Sequence, residues 1–548
     1  MRFELPEDFA VDRPTTPFSE IPHAANVAAA RADFPFALGE VDDHAERLRR
    51  MPARYFRQVA EARARGREFA ERVLRPAALA VEDRVGREPG YFAWDVMREA
   101  CRSRMLSLMI PEALGGSGYL TLPMAVLIEE LAAGCAGLAS TIGVHNVACG
   151  LIPDGYLLKR YVAEVVDGER RGEPLLWSGA ITEPAAGTDI WDEEFLARGS
   201  ICTIARPCAG GFVLNGRKCF ISNGNVSRYT LLAAATDPKN IPGTWSLFVV
   251  PAGTAGFSVG RVERKMGQKG SPAAELILED AFVPAEMQVM RTGECRRLVS
   301  VYLAGSRGPV GAIGVGCARR ALECLVDWAS QKHDRRGRLI DQQWLQMRVA
   351  AMTREIYAGR QAYVAAALAF DEIMSGLYRR PLVRGMLGLL PRPLAVSAIG
   401  RRLLQSAPIK ALIWRYLTSA APGDVLNHAA ALAAIAKIMG SDAGVNVSGE
   451  AARIMGRDAF DPRWPVDKCF RDAKLTQIYE GTNQANAITQ FKAMAGNWQK
   501  FHPGVAAEHA AAAAGRLASE PEAQRVVSRQ PNGSAAAHES EDSHVVWH

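Results

Sequence analysis

The residues best placed to do chemistry lie in one stretch, Gln477-Ile478-Tyr479-Glu480-Gly481-Thr482-Asn483-Gln484. Glu480 stands between an aromatic residue and a glycine. Just upstream, Arg471-Asp472-Ala473-Lys474-Leu475 reads as a helix. A carboxylate fixed at a rigid helix end can act as general acid or base. Gly481 allows a tight turn and lets a ligand come close. Taken alone, the string is more simply a helix end with a solvated glutamate. What else the chain contains decides between the two.

The elements that must position Glu480 fall into three blocks. After an arm, 1–45, mixed in prolines, small residues and charges, a helical pattern runs over 46–175. It includes an apolar helix, Leu122 to Ala133, interrupted by Glu129 and Glu130, and small residues from Gly134 to Gly150 that suit close helix packing. The period changes near Trp177. Short strand-like runs with turns between them continue to Val283-Pro284 and predict a compact β-barrel or sandwich over 176–290. From 291 to 502 the pattern is helical again, with four long segments that read as a bundle. One segment within it, 374–422, is basic. It holds Arg379, Arg380, Arg384, Arg392, Arg401, Arg402, Lys410 and Arg415, and no acid. The tail, 503–548, is rich in Ala, Ser and Glu and reads as disordered. The fold class is therefore α+β and multidomain.

Composition excludes several classes. With 548 residues, 48% of them hydrophobic and 23% charged, the chain has ordinary globular composition. A net charge of +6 is too small to imply nucleic acid. The ten cysteines form no CxxC pair and no cluster with histidine at metal-ligand spacing, so they read as reduced and mostly buried, and no metal is expected. The acidic N-terminus has no apolar signal region, and no apolar run reaches the length of a membrane span. No GxGxxG follows a strand, so a dinucleotide fold is not expected. A cytoplasmic protein is the resulting expectation.

Four stretches, in order and spacing, resemble the flavin-dependent acyl-CoA dehydrogenases: Ile181-Thr182-Glu183-Pro184-Ala185-Ala186-Gly187-Thr188-Asp189; Gly211 to Gly224; Met266-Gly267-Gln268 running on to Val283-Pro284; and Arg471 to Thr482. The resemblance covers roughly 65–373 and 425–500. It implies FAD as cofactor, an acyl-CoA substrate and an electron-transfer flavoprotein as electron acceptor, in a homotetramer or homodimer. It implies that Ile181 and Thr182 contact the flavin edge, that Thr188 approaches phosphate and substrate, and that Phe220, Ile221 and Ser222 form the ring wall where the family usually has Trp and Thr. Thr482 and Gln484 match flavin contacts. Glu480 matches the base that removes an α-proton, with Tyr479 and Gly481 beside the substrate. Some subfamilies carry the base instead on the residue before an arginine in the first bundle helix. Here that residue is Ser306, no base, followed by Arg307, which matches a position near CoA.

This sequence departs from the family in places. The usual Arg, then Phe-Gly, that reaches a neighbouring subunit's flavin is replaced, aligned through Gln343, by Lys332, Arg335 and Arg336. The usual Gly-Gly near the adenosine half is Gly456-Arg457. An oxidase or monooxygenase on the same scaffold, or a degenerate acyl-CoA-binding protein, are the alternatives that these departures leave open. The basic segment 374–422 reads either as a packed helical hairpin with solvated arginines or as a peripheral membrane-surface element.

Overall fold

The computed structural model describes residues 47–88, 90–150, 152–187, 201–378, 380, 383, 385 and 390–501. The expected arm, the expected tail and Thr188 lie outside them. Almost all described residues belong to one compact unit, Pro35–Ala493.

The first block is helical. α1 (Ala53–Phe69) buries Tyr55, Ala62, Gly66 and Phe69, one face at helical spacing. A π-helical turn, Ala70–Leu74, leads into α2 (Arg75–Arg87). α3 (Trp94–Arg102) follows. α4 (Thr121–Gly150) is apolar on nearly every side and is accordingly buried on every side. It breaks at Cys135, whose φ of −160° and ψ of 106° are extended. α5 (Ala163–Arg171) ends on Gly172 at φ +73°.

The middle block is a mixed eight-stranded sheet: β1 (Trp177–Ala180), β2 (Ile204–Cys208), β3 (Gly211–Ser222), β4 (Tyr229–Ala235), β5 (Trp245–Pro251), β6 (Phe257–Val262), β7 (Ala273–Pro284) and β8 (Gln288–Val289). The order is β6-β7-β3-β2-β4-β5-β8, with β1 pairing parallel to β4 off that path. Leu214, Leu232, Phe248, Val250, Leu276 and Leu278 fill its inner face.

The bundle is α6 (Cys295–Gln331), α7 (Gln343–Tyr378), α11 (Gly423–Met455), α12 (Val466–Thr476) and α13 (Asn483–Phe501). Between α7 and α11 stand α8 (Arg392–Val396), α9 (Ala398–Leu404) and α10 (Ala407–Ala420). α6 and α11 cross where only glycine fits: a Cβ on Gly311 would lie 2.3 Å from the Ala436 carbonyl oxygen, and one on Gly314 2.2 Å from that of Gly440. Two helices, α4 and α6, are long and apolar enough by composition to cross a membrane, against the sequence expectation. Their most apolar windows are 94% and 78% buried in the protein, so they are its core.

Buried carboxylates join the first block to the bundle. Glu129 and Glu130 of α4 pair with Arg319 of α6 at 2.8 and 2.6 Å, and Glu129 also takes Arg360 and the Tyr363 hydroxyl of α7. Asp371 of α7 accepts from the Tyr55 hydroxyl at 2.6 Å and from the backbone N–H groups of Thr121 and Leu122 at 2.6 and 2.8 Å. The basic segment is likewise anchored. Arg392 donates to the Lys159 carbonyl at 2.8 Å and pairs with Asp167; Arg380 reaches the Ser419 hydroxyl; Arg401 pairs with Glu286. Lys410 donates to the Met290 carbonyl at 2.9 Å. The reading of these arginines as wholly solvated is corrected: segment 390–421 clamps the first block to the rim of the sheet.

Replacing Asp371 by Ala leaves three buried donors without an acceptor. At about 1 kcal/mol or more for each, destabilisation of about 3 kcal/mol is expected, read as a lowered midpoint in urea unfolding.

Candidate active site

α12 ends at Thr476, and the chain turns through Glu480 at φ +58° and Gly481 at φ +81° before α13 begins. A left-handed glutamate costs about 1–3 kcal/mol and persists only where neighbours fix it. Here they do. The Asn483 N–H donates to the Gln477 carbonyl at 3.0 Å. The buried Asn486 amide donates to the carbonyls of Gly481 and Thr482 at 2.8 and 3.0 Å. Arg307 donates to the Glu480 carbonyl at 3.2 Å, and Lys437 to the Asn483 side chain at 2.7 Å.

The Glu480 carboxylate, on a partly buried residue, accepts from the Ser306 hydroxyl, and the Tyr302 hydroxyl stands near it one turn earlier on α6. Burial raises its pKa. The two hydroxyls and the charges of Arg307 and Lys437 pull the other way without cancelling the rise. Burial also lowers Arg307 to about 10 and Lys437 to about 7. The position at which the rival base was sought thus holds the hydrogen-bond partner of Glu480.

The opposite wall comes from two strand ends. Ile181 and Thr182 follow β1. They are held by a fully buried pair: Lys218 donates to Glu183 at 2.6 Å and to the Ile181 carbonyl at 3.0 Å, and Glu183 accepts the Cys202 N–H at 2.6 Å. β3 supplies Phe220, Ile221 and Ser222. Its register against β7 shifts between Lys218 and Ile221, and Phe220 has φ +58°. This irregularity re-aims the ring, leaving Phe220 61% exposed. These two strand ends, Ser306, Tyr479 and Glu480 line one cleft of about 350 Å³, with Met124, Ile128, Val310 and Ile313 as its apolar floor. The hydroxyls of Thr182 and Ser222 have no partner within the chain among the described residues. Free hydroxyls for a polar ring edge, an aromatic wall and an apolar floor fit the flavin half of FAD.

Gln268, which no sequence argument singled out beyond its motif, is buried in the lining of this cleft. Its side chain donates to the Asp472 carbonyl at 2.8 Å and to the Tyr479 hydroxyl at 3.2 Å, and accepts from Ser140 at 2.8 Å.

Other expected residues stand elsewhere. Gln484 is exposed; the buried residue under the turn is Asn486, two positions on. Thr482 accepts the Ala485 N–H at 3.2 Å and caps α13, and Gly481 is buried behind the turn. Arg307 lies under the Glu480 backbone. Lys332 pairs with Asp458 at 2.8 Å, beside the exposed Arg457, and Gln343 is exposed. Lys332 is about 39 Å beyond Ser306 at 1.5 Å per helical residue, so none of this group meets Glu480 within one chain. Lys437, Tyr302 and Asn486 were not predicted. They come from helix positions whose orientation no local motif reveals.

Comparison with known proteins agrees with this geometry. Models of the acyl-CoA dehydrogenase N-terminal, middle and C-terminal domains match residues 57–166, 178–281, and 296–375 with 392–494. Among relatives, acryloyl-CoA reductase (NADH) of Anaerotignum propionicum is 27% identical over 447 residues, covering 81% of this chain and 96% of the relative. Two solved structures resemble the chain at TM-score 0.62 and 26% identity. Butyryl-CoA dehydrogenase from Megasphaera elsdenii covers 80% of this chain and 98% of its own. A structure described as the electron transferring flavoprotein of Acidaminococcus fermentans covers 80% and 97%. The chain belongs to the acyl-CoA dehydrogenase family, and is an FAD-dependent oxidoreductase acting on acyl-CoA.

Proposed function

We propose that the protein dehydrogenates an acyl-CoA thioester between its α and β carbons, with Glu480 as the base. The observation that carries this is the position of one carboxylate, with raised pKa, across the cleft from the Ile181, Thr182, Phe220 and Ser222 wall. Ile181, Thr182, Phe220 and Ser222 would hold the flavin half of FAD, which when bound would supply the two-electron acceptor for the β-hydride. Glu480 takes the α-proton, and the electron pair left behind forms the new double bond. A higher carboxylate pKa narrows the gap to the weakly acidic α C–H. The Glu480 backbone N–H has no acceptor among the described residues. It is free to bind the thioester oxygen where negative charge develops. Ser306 holds the carboxylate at one point, and Lys218 with Glu183 holds the opposite wall.

The electron acceptor proposed is an electron-transfer flavoprotein. Lys332, at the far end of α6 from the cleft, with Gln343 at the start of α7 and Arg457 beside the Lys332–Asp458 pair, would meet the cofactor of another copy in a homodimer or homotetramer.

Glu480→Gln should keep FAD and acyl-CoA binding but slow anaerobic flavin bleaching by about 10²- to 10⁴-fold; bleaching at the wild-type rate would remove Glu480 as base. Ser306→Ala tests the hydrogen bond. Ser306 stabilises the ionised carboxylate and so lowers its pKa. Its loss should therefore move the acid limb of the kcat/KM profile to higher pH by about one unit, the value of one charge-assisted hydrogen bond.

A further inference from the structure

The cleft at Glu480 has two ends. One is the apolar floor. The other leads out along the N-terminal half of α6. A cavity of about 50 Å³ adjoins the cleft and shares Gly179, Ile181 and Tyr302 with it. A second, of about 90 Å³, shares Ile152, Pro153 and Leu298 with the first. Its outer wall is the basic segment, through Ile413, Trp414 and Leu417 of α10. Trp414 is also a wall of a wide surface groove of about 1050 Å³.

That groove is basic. Arg291, Arg401, Arg402 and Lys410 line it with Glu286 and Glu294. Both carboxylates are answered, Glu286 by Arg401 at 2.6 Å and Glu294 by Arg291 at 2.7 Å. Lys410 is turned inward onto the carbonyls of Gln288 and Met290. Arg402 is exposed and has no partner among the described residues.

This succession of surroundings selects a ligand class. From Ser306 back to Cys295, α6 spans about 16 Å. A ligand with its reacting carbonyl at Glu480 and an anion at the groove needs a slender arm of that order between them. A free fatty acid has none; a thioester of CoA has a pantetheine arm with phosphates at its end. We infer that the basic segment completes the CoA path: Trp414 walls the pantetheine arm, and Arg402 receives a phosphate of the nucleotide. This rests on the acyl-CoA reading above.

The test is calorimetric binding of CoA, and separately of pantetheine, to the FAD-loaded full-length protein. Neither ligand has an α-proton to lose, so binding is read whether or not Glu480 is the base. Arg402→Glu should weaken CoA about tenfold, as loss of a charge-assisted phosphate contact does, and leave pantetheine unchanged; Arg402→Lys should restore most of the CoA affinity. Trp414→Ala should weaken both ligands alike. Unaltered CoA binding by Arg402→Glu, or an equal loss for pantetheine, overturns the phosphate assignment. Wild-type binding of both ligands by Trp414→Ala overturns the corridor.

Discussion

Three parts of the chain that are remote in sequence meet at the Gln268 side chain, and the active site depends on that meeting. Gln268 sits in the loop between β6 and β7, with φ +47°, and is buried. Its N–H bonds the Asp472 carboxylate. Its amide joins Ser140 of α4, the carbonyl of Asp472 in α12, and the Tyr479 hydroxyl beside Glu480. A Cβ on the neighbouring Gly267 would lie 2.1 Å from the Arg471 carbonyl oxygen, so α12 rests directly on this loop. The wall of the cleft belongs to the sheet and the carboxylate to the bundle. Only such a bond network fixes the gap between them.

The same solution recurs across the domain junctions. Buried charge is costly unless paired and hydrogen-bonded. The joint between the first block and the bundle uses it, in Glu129 and Glu130 with Arg319 and in Asp371 with Tyr55; within the middle block, Lys218 with Glu183 fixes the strand ends in the same way. Apolar contact would glue these faces in many registers. A bidentate pair or a three-donor carboxylate accepts one. The gain is geometric, and an enzyme whose reacting groups sit on different domains needs it.

Much of this was legible in the sequence, for particular reasons. The change of period near Trp177 marks the start of the sheet because strands and helices repeat differently. The turn at Glu480 was legible because a glycine follows it at the end of a helical run; the choice of its carboxylate rested on the resemblance of the stretch Arg471 to Thr482. Phe220 and Ser222 were found through their motif. What stayed hidden depends on tertiary placement. Lys437 and Tyr302 lie on long helices whose local pattern gives no sign that they come near the Glu480 turn. Asn486, buried under the turn, was not foreseen, because only the start of α13 decides which side chain turns under the loop. The anchoring of the basic segment needed partners, Asp167, Glu286 and Asp154, that lie more than a hundred residues upstream.

The contact between Ser306 and Glu480 has a consequence for how such enzymes change over time. Two chain positions, one on an unstrained helix and one on a left-handed turn, deliver their side chains to the same point. The location of a proton acceptor is then a property of the cavity, while its address in the sequence is free to move. A lineage could acquire a carboxylate at the helix position before losing the one at the turn, and remain active throughout. Descent in this fold need not preserve the residue that does the chemistry, so a glutamate missing from one of the two positions says little about lost activity.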